Sequence, residues 1–156
     1  MNKGTYTALV LCVLISGCAS LPQPKHIERS FEFDEPFEDV WESVIHFFSS
    51  NSIPIKTIEK DSGIIYAEKE YLLPNNVNDF AECPTEGWEL EASDFLGMKM
   101  NIFVSTHKDD TTKVTVNLTY QRNYKNIWTD QIDPYECYST GRMERLVYEE
   151  IEKYLK

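Results

Sequence analysis

Basic residues are scarce in this chain and nowhere clustered: 15 lysines and arginines stand against 26 aspartates and glutamates in 156 residues, a formal charge of −11. Neutralising a phosphate backbone takes closely spaced cations, so no nucleic-acid partner is expected. Histidine is scarcer still, with His26, His46 and His107 the three in the sequence and no two at ligand spacing. A zinc site needs three or four converging ligands and a nucleophile needs a base within reach, so neither metal, cofactor nor catalysis is expected. The six glycines form no phosphate-cradling loop, and nothing repeats internally. Long apolar runs are missing too. The run Ala8 to Ile15 (ALVLCVLI) rises only about 12 Å as a helix, against about 30 Å for a bilayer core, which disfavours a permanent span.

What surrounds that short run is informative. Met1-Asn2-Lys3 places a positive charge before it, and Ser16-Gly17 place small residues after it, ahead of Cys18. These are the three parts of a signal peptide spanning residues 1–17. A buried core helix, the ordinary alternative for such a run, accounts for neither flank. Ile15-Ser16-Gly17-Cys18 resembles the lipobox of bacterial lipoproteins. The resemblance implies diacylglyceryl transfer to the Cys18 thiol, cleavage before it and acylation of the new amino group. Each buried methylene contributes about 0.8 kcal/mol, so several acyl chains hold effectively permanently. Ala19 stands where the inner-membrane retention signal of such lipoproteins would be aspartate, which implies anchoring at the periplasmic face of the outer membrane. In a host without an outer membrane the same motif implies attachment outside the plasma membrane. Losing Lys3 with the leader leaves 14 basic against 26 acidic groups, a charge of −12. Anionic headgroups repel such a domain, so its membrane residence is expected to come from the anchor.

Of the four cysteines, Cys12 leaves with the leader and Cys18 carries lipid, which leaves Cys83 and Cys137 as an even pair in an oxidising space. A disulfide is expected, closing a loop worth roughly 4 kcal/mol in the chain-entropy model. A zinc pair and a nucleophilic thiol compete with it, but no histidine or further cysteine lies nearby and no base is placed to activate either thiol.

Ala19 to Arg29 (ASLPQPKHIER) is polar, proline-bearing and aperiodic, and residues 18–29 read as a lipidated tether. Its reach is at most roughly 36 Å. The length fits one domain, residues 30–156. Within it, Ser30 to Asp34 reads as a short strand. A helix follows, with Asp34 or Glu35 as its cap, Pro36 in its first turn and Phe37, Val40, Trp41, Val44, Ile45 and Phe48 on one face. Such a stripe is ordinarily the face turned to a core, although partner helices and membranes use stripes too. Ile53 to Glu59 and Ser62 to Lys69 predict a hairpin turning at Lys60-Asp61. Residues 71–97 carry little signal beyond turns at Pro74-Asn75-Asn76 and Pro84 to Gly87, with a short strand over Val77 to Cys83. Met98 to Val104 and Val114 to Tyr120 alternate apolar and polar as two half-buried antiparallel strands, joined through Lys108-Asp109-Asp110. An aromatic loop is predicted from Asn123 to Cys137. A last helix follows, capped by Ser139 or Thr140, with Met143, Leu146, Val147, Ile151, Tyr154 and Leu155 on its apolar face. The order β-α-β-β-β-β-α makes the class α+β, an antiparallel sheet with two helices on one face.

The stretch FEFDEPFEDVWESVIHFFSSNSIPIKTIEKDSGIIYAE, Phe31 to Glu68, is similar to the helix-grip lipoprotein domains. Among them is the C-subunit lipoprotein of the outer-membrane β-barrel assembly machinery. That lipoprotein has two such domains behind a long lead, whereas this chain has room for one behind a short tether. The resemblance implies a fold more than an activity. The function expected is a non-catalytic envelope scaffold or accessory module that binds an envelope protein. The alternatives are a binder of a lipid or peptidoglycan fragment and, further off, a periplasmic hydrolase. Partner-binding candidates are Tyr124, Trp128 and Tyr135 within the aromatic group Tyr120, Tyr124, Trp128, Tyr135 and Tyr138, since Tyr and Trp bury large rigid area while keeping a polar handle. Sheet-covering is the ordinary alternative for them. Lys99, with Asn101, Thr115, Asn117 and Thr119, is the second candidate if those residues share the sheet face opposite the helices. Glu82, Glu86, Glu89, Glu91 and Asp94 read as a solvated acidic face rather than as a catalytic set.

Overall fold

A computed structural model describes residues 26–72, 79–83, 90–107 and 111–156. The leader, Cys18, the first part of the tether and the turns expected at 74–76, 84–87 and 108–110 lie outside the described residues. The chain is α+β: an antiparallel sheet carries two helices on one face.

Two long strands form its spine. β5 (Leu90–Thr106) and β6 (Thr112–Asn126) pair from Leu90↔Asn126 to Thr106↔Thr112, with a register shift between Ala92 and Leu96. Their alternation is what the side-chain period of two demands. Leu96, Met98, Met100, Ile102 and Val104 are buried, and Lys99, Asn101 and Phe103 between them are exposed. The free edge of β5 takes β3 (Ile64–Leu72), and β3 takes β2 (Ile55–Glu59), the hairpin expected there. The far edge of β6 is shared. β1 (Ser30–Phe33) pairs with residues 112–115 and β7 (Ile132–Ser139) with residues 120–125, while β4 (Ala81–Glu82) adds to β7.

α1 (Phe37–Ser50) and α2 (Arg142–Leu155) lie on the inner face. Val40, Val44, Phe47 and Phe48 of α1 meet Met143, Val147 and Ile151 of α2 over Ile65, Met98, Met100, Ile102, Val114 and Val116. Each such side chain contributes about 1.5–3 kcal/mol through burial. Phe47 belongs to the α1 stripe and widens it. Tyr154 does not belong to the α2 stripe: it is 48% exposed, its ring 4.4 Å from that of His46.

The helix starts differ from expectation. Neither Asp34 nor Glu35 caps α1; Pro36 occupies the cap position with extended backbone, and its carbonyl accepts from the amides of Asp39 and Val40. α2 starts at Gly141, whose φ of 86° suits a residue without Cβ. Ser139 and Thr140 act one step back: the Gly141 amide donates to Ser139 Oγ at 3.1 Å and the Arg142 amide to Thr140 Oγ1 at 3.4 Å. The sheet is also larger than the five strands expected. β5 starts at Leu90 rather than Met98, only Ala81–Glu82 of the strand expected over Val77 to Cys83 is a described strand, and the segment expected as an aromatic loop is the end of β6, a turn and β7.

Candidate contact surfaces

The end of β6 and β7 set the aromatic residues on defined sides of the sheet. Continuing the alternation of β6 beyond Tyr120 puts Tyr124 on the inner face, where it is 2% exposed. Its ring meets that of Tyr135 edge-on, centroids 5.1 Å apart, and the Arg122 guanidinium lies 5.7 Å from its centroid. Arg122 Nε in turn donates to the Ser93 carbonyl at 2.9 Å. Tyr124 is therefore a packing residue of the β5-β6-β7 end and not a contact residue, because edge-on aromatic packing is satisfied within the fold. Tyr135 is partly accessible beside it. Trp128, 70% exposed, projects from the turn between β6 and β7 along with Ile127, and Ile132 opens β7 close by.

Lys99 lies on the outer sheet face, which neither α1 nor α2 covers. Register builds that face row by row: Glu68, Lys99 and Thr119 across one line, Tyr66, Asn101 and Asn117 across the next, then Ile64, Phe103 and Thr115. Ser30 extends the last row from β1, its hydroxyl 3.1 Å from that of Thr115. Lys99, Asn101, Asn117 and Thr119 are exposed, Thr115 is half-buried, and the Ile64–Phe103 pair adds an apolar patch at one end. Tyr66 donates its hydroxyl to Glu68, and that carboxylate raises the phenol pKa. These three rows thus set donors, acceptors and the Lys99 ammonium at the 4.7–4.9 Å strand spacing.

The Cys83 and Cys137 sulfurs are at disulfide distance, 2.06 Å, and join the end of β4 to β7. Among the described residues no three His, Cys, Asp or Glu side chains group as a metal site. His46 sits exposed on α1 with Ser50 Oγ 3.3 Å from its Nδ1, and the His107 amide closes the β5 end onto the Thr111 carbonyl. Of the acidic residues singled out, Glu82 stands across from Tyr138 and Glu91 across from Lys125, so those two do not converge. Glu86, Glu89 and the Asp94 side chain lie outside the described residues. Among the described residues no helix is long and apolar enough to cross a membrane.

One feature escaped the sequence. A half-open groove of about 1390 Å³ lies between the tether end at His26, β1 and the start of α2. Phe31, Phe80, Leu146 and Tyr148 give it apolar walls, and Lys113, Arg142 and Arg145 give it cations. Arg142 is held 3.4 Å from Asp79 with its guanidinium 5.4 Å from the Phe80 ring centroid. Two arginines in the first turn of a helix oppose the preference for acids there, and that mismatch was the available signal. The acid of the first turn, Glu144, points inward instead: it is buried, one oxygen accepting from Ser139 Oγ at 2.9 Å and the other without a hydrogen bond among the described residues.

No protein-family model and no curated protein matches the chain. Its reading therefore rests on its own residues and geometry.

Proposed function

We propose that this chain is an outer-membrane lipoprotein, anchored through Cys18 at the periplasmic face, that acts without catalysis as an envelope scaffold or accessory module by binding a protein. The observation that carries the binding reading is the outer sheet face, exposed along the rows of Lys99 and Asn101 and left uncovered by either helix. A sheet face whose inner side already holds both helices has no folding task outside, so a surface of aligned amides, hydroxyls and one ammonium is available for recognition. The lipobox Ile15-Ser16-Gly17-Cys18 supports the anchor, and the Cys83–Cys137 pair suits an oxidising compartment.

Photo-crosslinking in living cells from probes at Lys99 and Asn117, with one at Glu42 on the exposed side of α1 as the control, tests the contact. Capture of one envelope protein from the sheet probes and not from α1 is the expected result. Capture of barrel-assembly subunits would extend the fold resemblance to a role. Equal labelling from all three probes would refute a specific face. Cys18→Ala tests the anchor: it is expected to abolish incorporation of labelled fatty acid into the chain, and labelling that persists would refute it.

The groove favours a second reading, a lipid or peptidoglycan-fragment binder, because its aromatic walls and a rim that mixes Lys113, Arg142 and Arg145 with Glu28, Glu32 and Glu149 suit an amphiphilic ligand. A rise in melting temperature on adding such a ligand, abolished by Arg145→Glu, would select it.

A further inference from the structure

We propose that the turn between β6 and β7 seats in the headgroup interface of the bilayer that holds Cys18, so that the domain meets the membrane at a second point. This rests on the Cys18 anchor proposed above. Ile127, Trp128 and Ile132 are each about half exposed or more at this tip, an indole and two branched aliphatics in a segment of eight residues. Tryptophan with aliphatic neighbours is the composition of membrane-interface anchors, because the indole satisfies its N–H among headgroups while its ring leaves water. Charge points the same way. Residues 125–132 hold one lysine and one aspartate, Lys125 and Asp130, paired at 2.7 Å, on a chain of −11 overall. The tip's own residues are thus neutral, with Glu91 across from Lys125 and Asp133 at its rim, a balance that suits zwitterionic rather than anionic headgroups.

The turn is also built to hold its shape. The Asn126 carboxamide oxygen accepts from the amides of Trp128 and Thr129 at 2.9 and 3.1 Å, the Asn126 amide donates to the Gln131 carbonyl at 2.8 Å, and Asp130 adopts φ 57°. An exposed apolar loop that is preorganised loses little entropy on docking.

Direction and reach agree. β1 runs antiparallel to β6, and the Arg29 carbonyl accepts from the Val116 amide, so the chain before Arg29 heads toward the tip end of β6. From Val116 to Trp128 is twelve residues, at most about 40 Å of strand, and from Cys18 to Arg29 is eleven, at most about 36 Å of tether. A tether near full stretch with a tilt of the sheet is long enough to put Cys18 and Trp128 in one plane.

The test uses the full lipidated chain reconstituted in zwitterionic phosphatidylcholine vesicles, with ordinary or brominated acyl chains, comparing wild type with Trp128→Phe. Their difference in emission reports Trp128. The expected result is flotation with the vesicles and roughly twofold or greater quenching of that emission by brominated chains. The Ile127→Ser, Ile132→Ser double variant, which keeps every tryptophan, is expected to lose most of the quenching. Flotation with Trp128 emission unchanged by bromine would overturn the tip proposal and leave the anchor standing. Shielding from aqueous iodide without a bromine effect would also overturn it, by showing a protein or a second copy on the tip. Failure to float would overturn the anchor and the tip with it.

Discussion

Gly63→Ala places a methyl group where the sheet leaves no room. Gly63 has φ +68°, and a Cβ built on it would lie 1.9 Å from the Val104 carbonyl oxygen. The Gly63 carbonyl also accepts from the Val104 amide at 2.8 Å, and the Gly63 amide closes the Lys60 turn at 3.0 Å. Left-handed backbone costs an L-residue about 1–2 kcal/mol. Relieving a contact 1 Å or more too short requires β3 to move off β5 there, loosening at least one backbone hydrogen bond at about 1 kcal/mol net, with repacking beyond it. The stiffer unfolded chain returns about 0.4–1 kcal/mol. The net expectation is a loss of about 2–4 kcal/mol, read from urea unfolding of both proteins monitored by tryptophan emission. The control is Gly97→Ala, where the new Cβ would meet the Gln121 carbonyl oxygen at an ordinary 3.5 Å. It is expected to change stability by no more than about 0.5 kcal/mol. A Gly63→Ala variant within that same margin of wild type would refute the close approach of β3 to β5 and the register built on it.

Ser139→Ala removes the donor to the buried Glu144 carboxylate and the acceptor for the Gly141 amide. A loss of about 1–3 kcal/mol is expected in the same assay, since Glu144 is buried and its Oε2 would be left without that partner. Reducing Cys83–Cys137 opens a loop of 54 residues and is expected to cost about 4 kcal/mol, measured as the shift in unfolding midpoint with and without reductant. Lys125 holds the Asp130 carboxyl below the ordinary aspartate pKa and is itself raised by it, hydrogen bonding being the first cause for each. A depressed acid stabilises above its unfolded pKa and loses that contribution as pH falls through its folded one. A raised lysine stabilises below its unfolded pKa and loses the contribution as pH rises through its folded one. The pair therefore acts between those limits, and Lys125→Met is expected to move the Asp130 carboxyl titration, followed by NMR, back up.

Strict alternation made the centre of the sheet legible. In Met98 to Val104 and Val114 to Tyr120 an outward residue, polar except for Phe103, follows each apolar one inside, and both strands lie where their period puts them. The α1 stripe was readable for the same reason, with Phe47 missed although it falls three residues after Val44. β7 was not readable because β4 covers only its last two residues and the rest is an open edge: of IDPYECYS only Cys137 is buried, so no alternation exists, and Pro134 reads as a breaker. The start of β5 was hidden by the register shift between Ala92 and Leu96, which breaks its period. Tyr124 was misjudged because residue type was weighed over parity. Counting in twos from Tyr120 would have placed it inside. Lys99 and its polar neighbours were placed by parity, and there the count held. The groove joins segments 26–32, 79–80 and 140–149, a convergence that no local pattern encodes.

Sharing one edge of β6 between β1 and β7 has a consequence for where a partner can stand. β1 occupies residues 112–115, so the tether must leave the sheet before the stretch that β7 pairs, 120–125, and it leaves heading for the tip. With the tip at the bilayer, β5 and β6 stand up from the membrane, and the outer face becomes a wall rather than a roof or a floor. Lys99 is level with Thr119, nine residues from Trp128 along β6, which sets it at most about 30 Å above the interface. A partner that read the rows of Lys99 and Asn101, as proposed, would then approach from the side and close to the membrane, where a protein held to the same surface is favoured over a freely diffusing one. Confinement of both partners to one surface raises their effective concentration without any added contact, so a polar face of modest affinity is enough. Replacing the tether with a much longer flexible one would keep every contact residue and lower that concentration. Loss of crosslinking from Lys99 in such a variant, with membrane attachment intact, would separate placement from recognition.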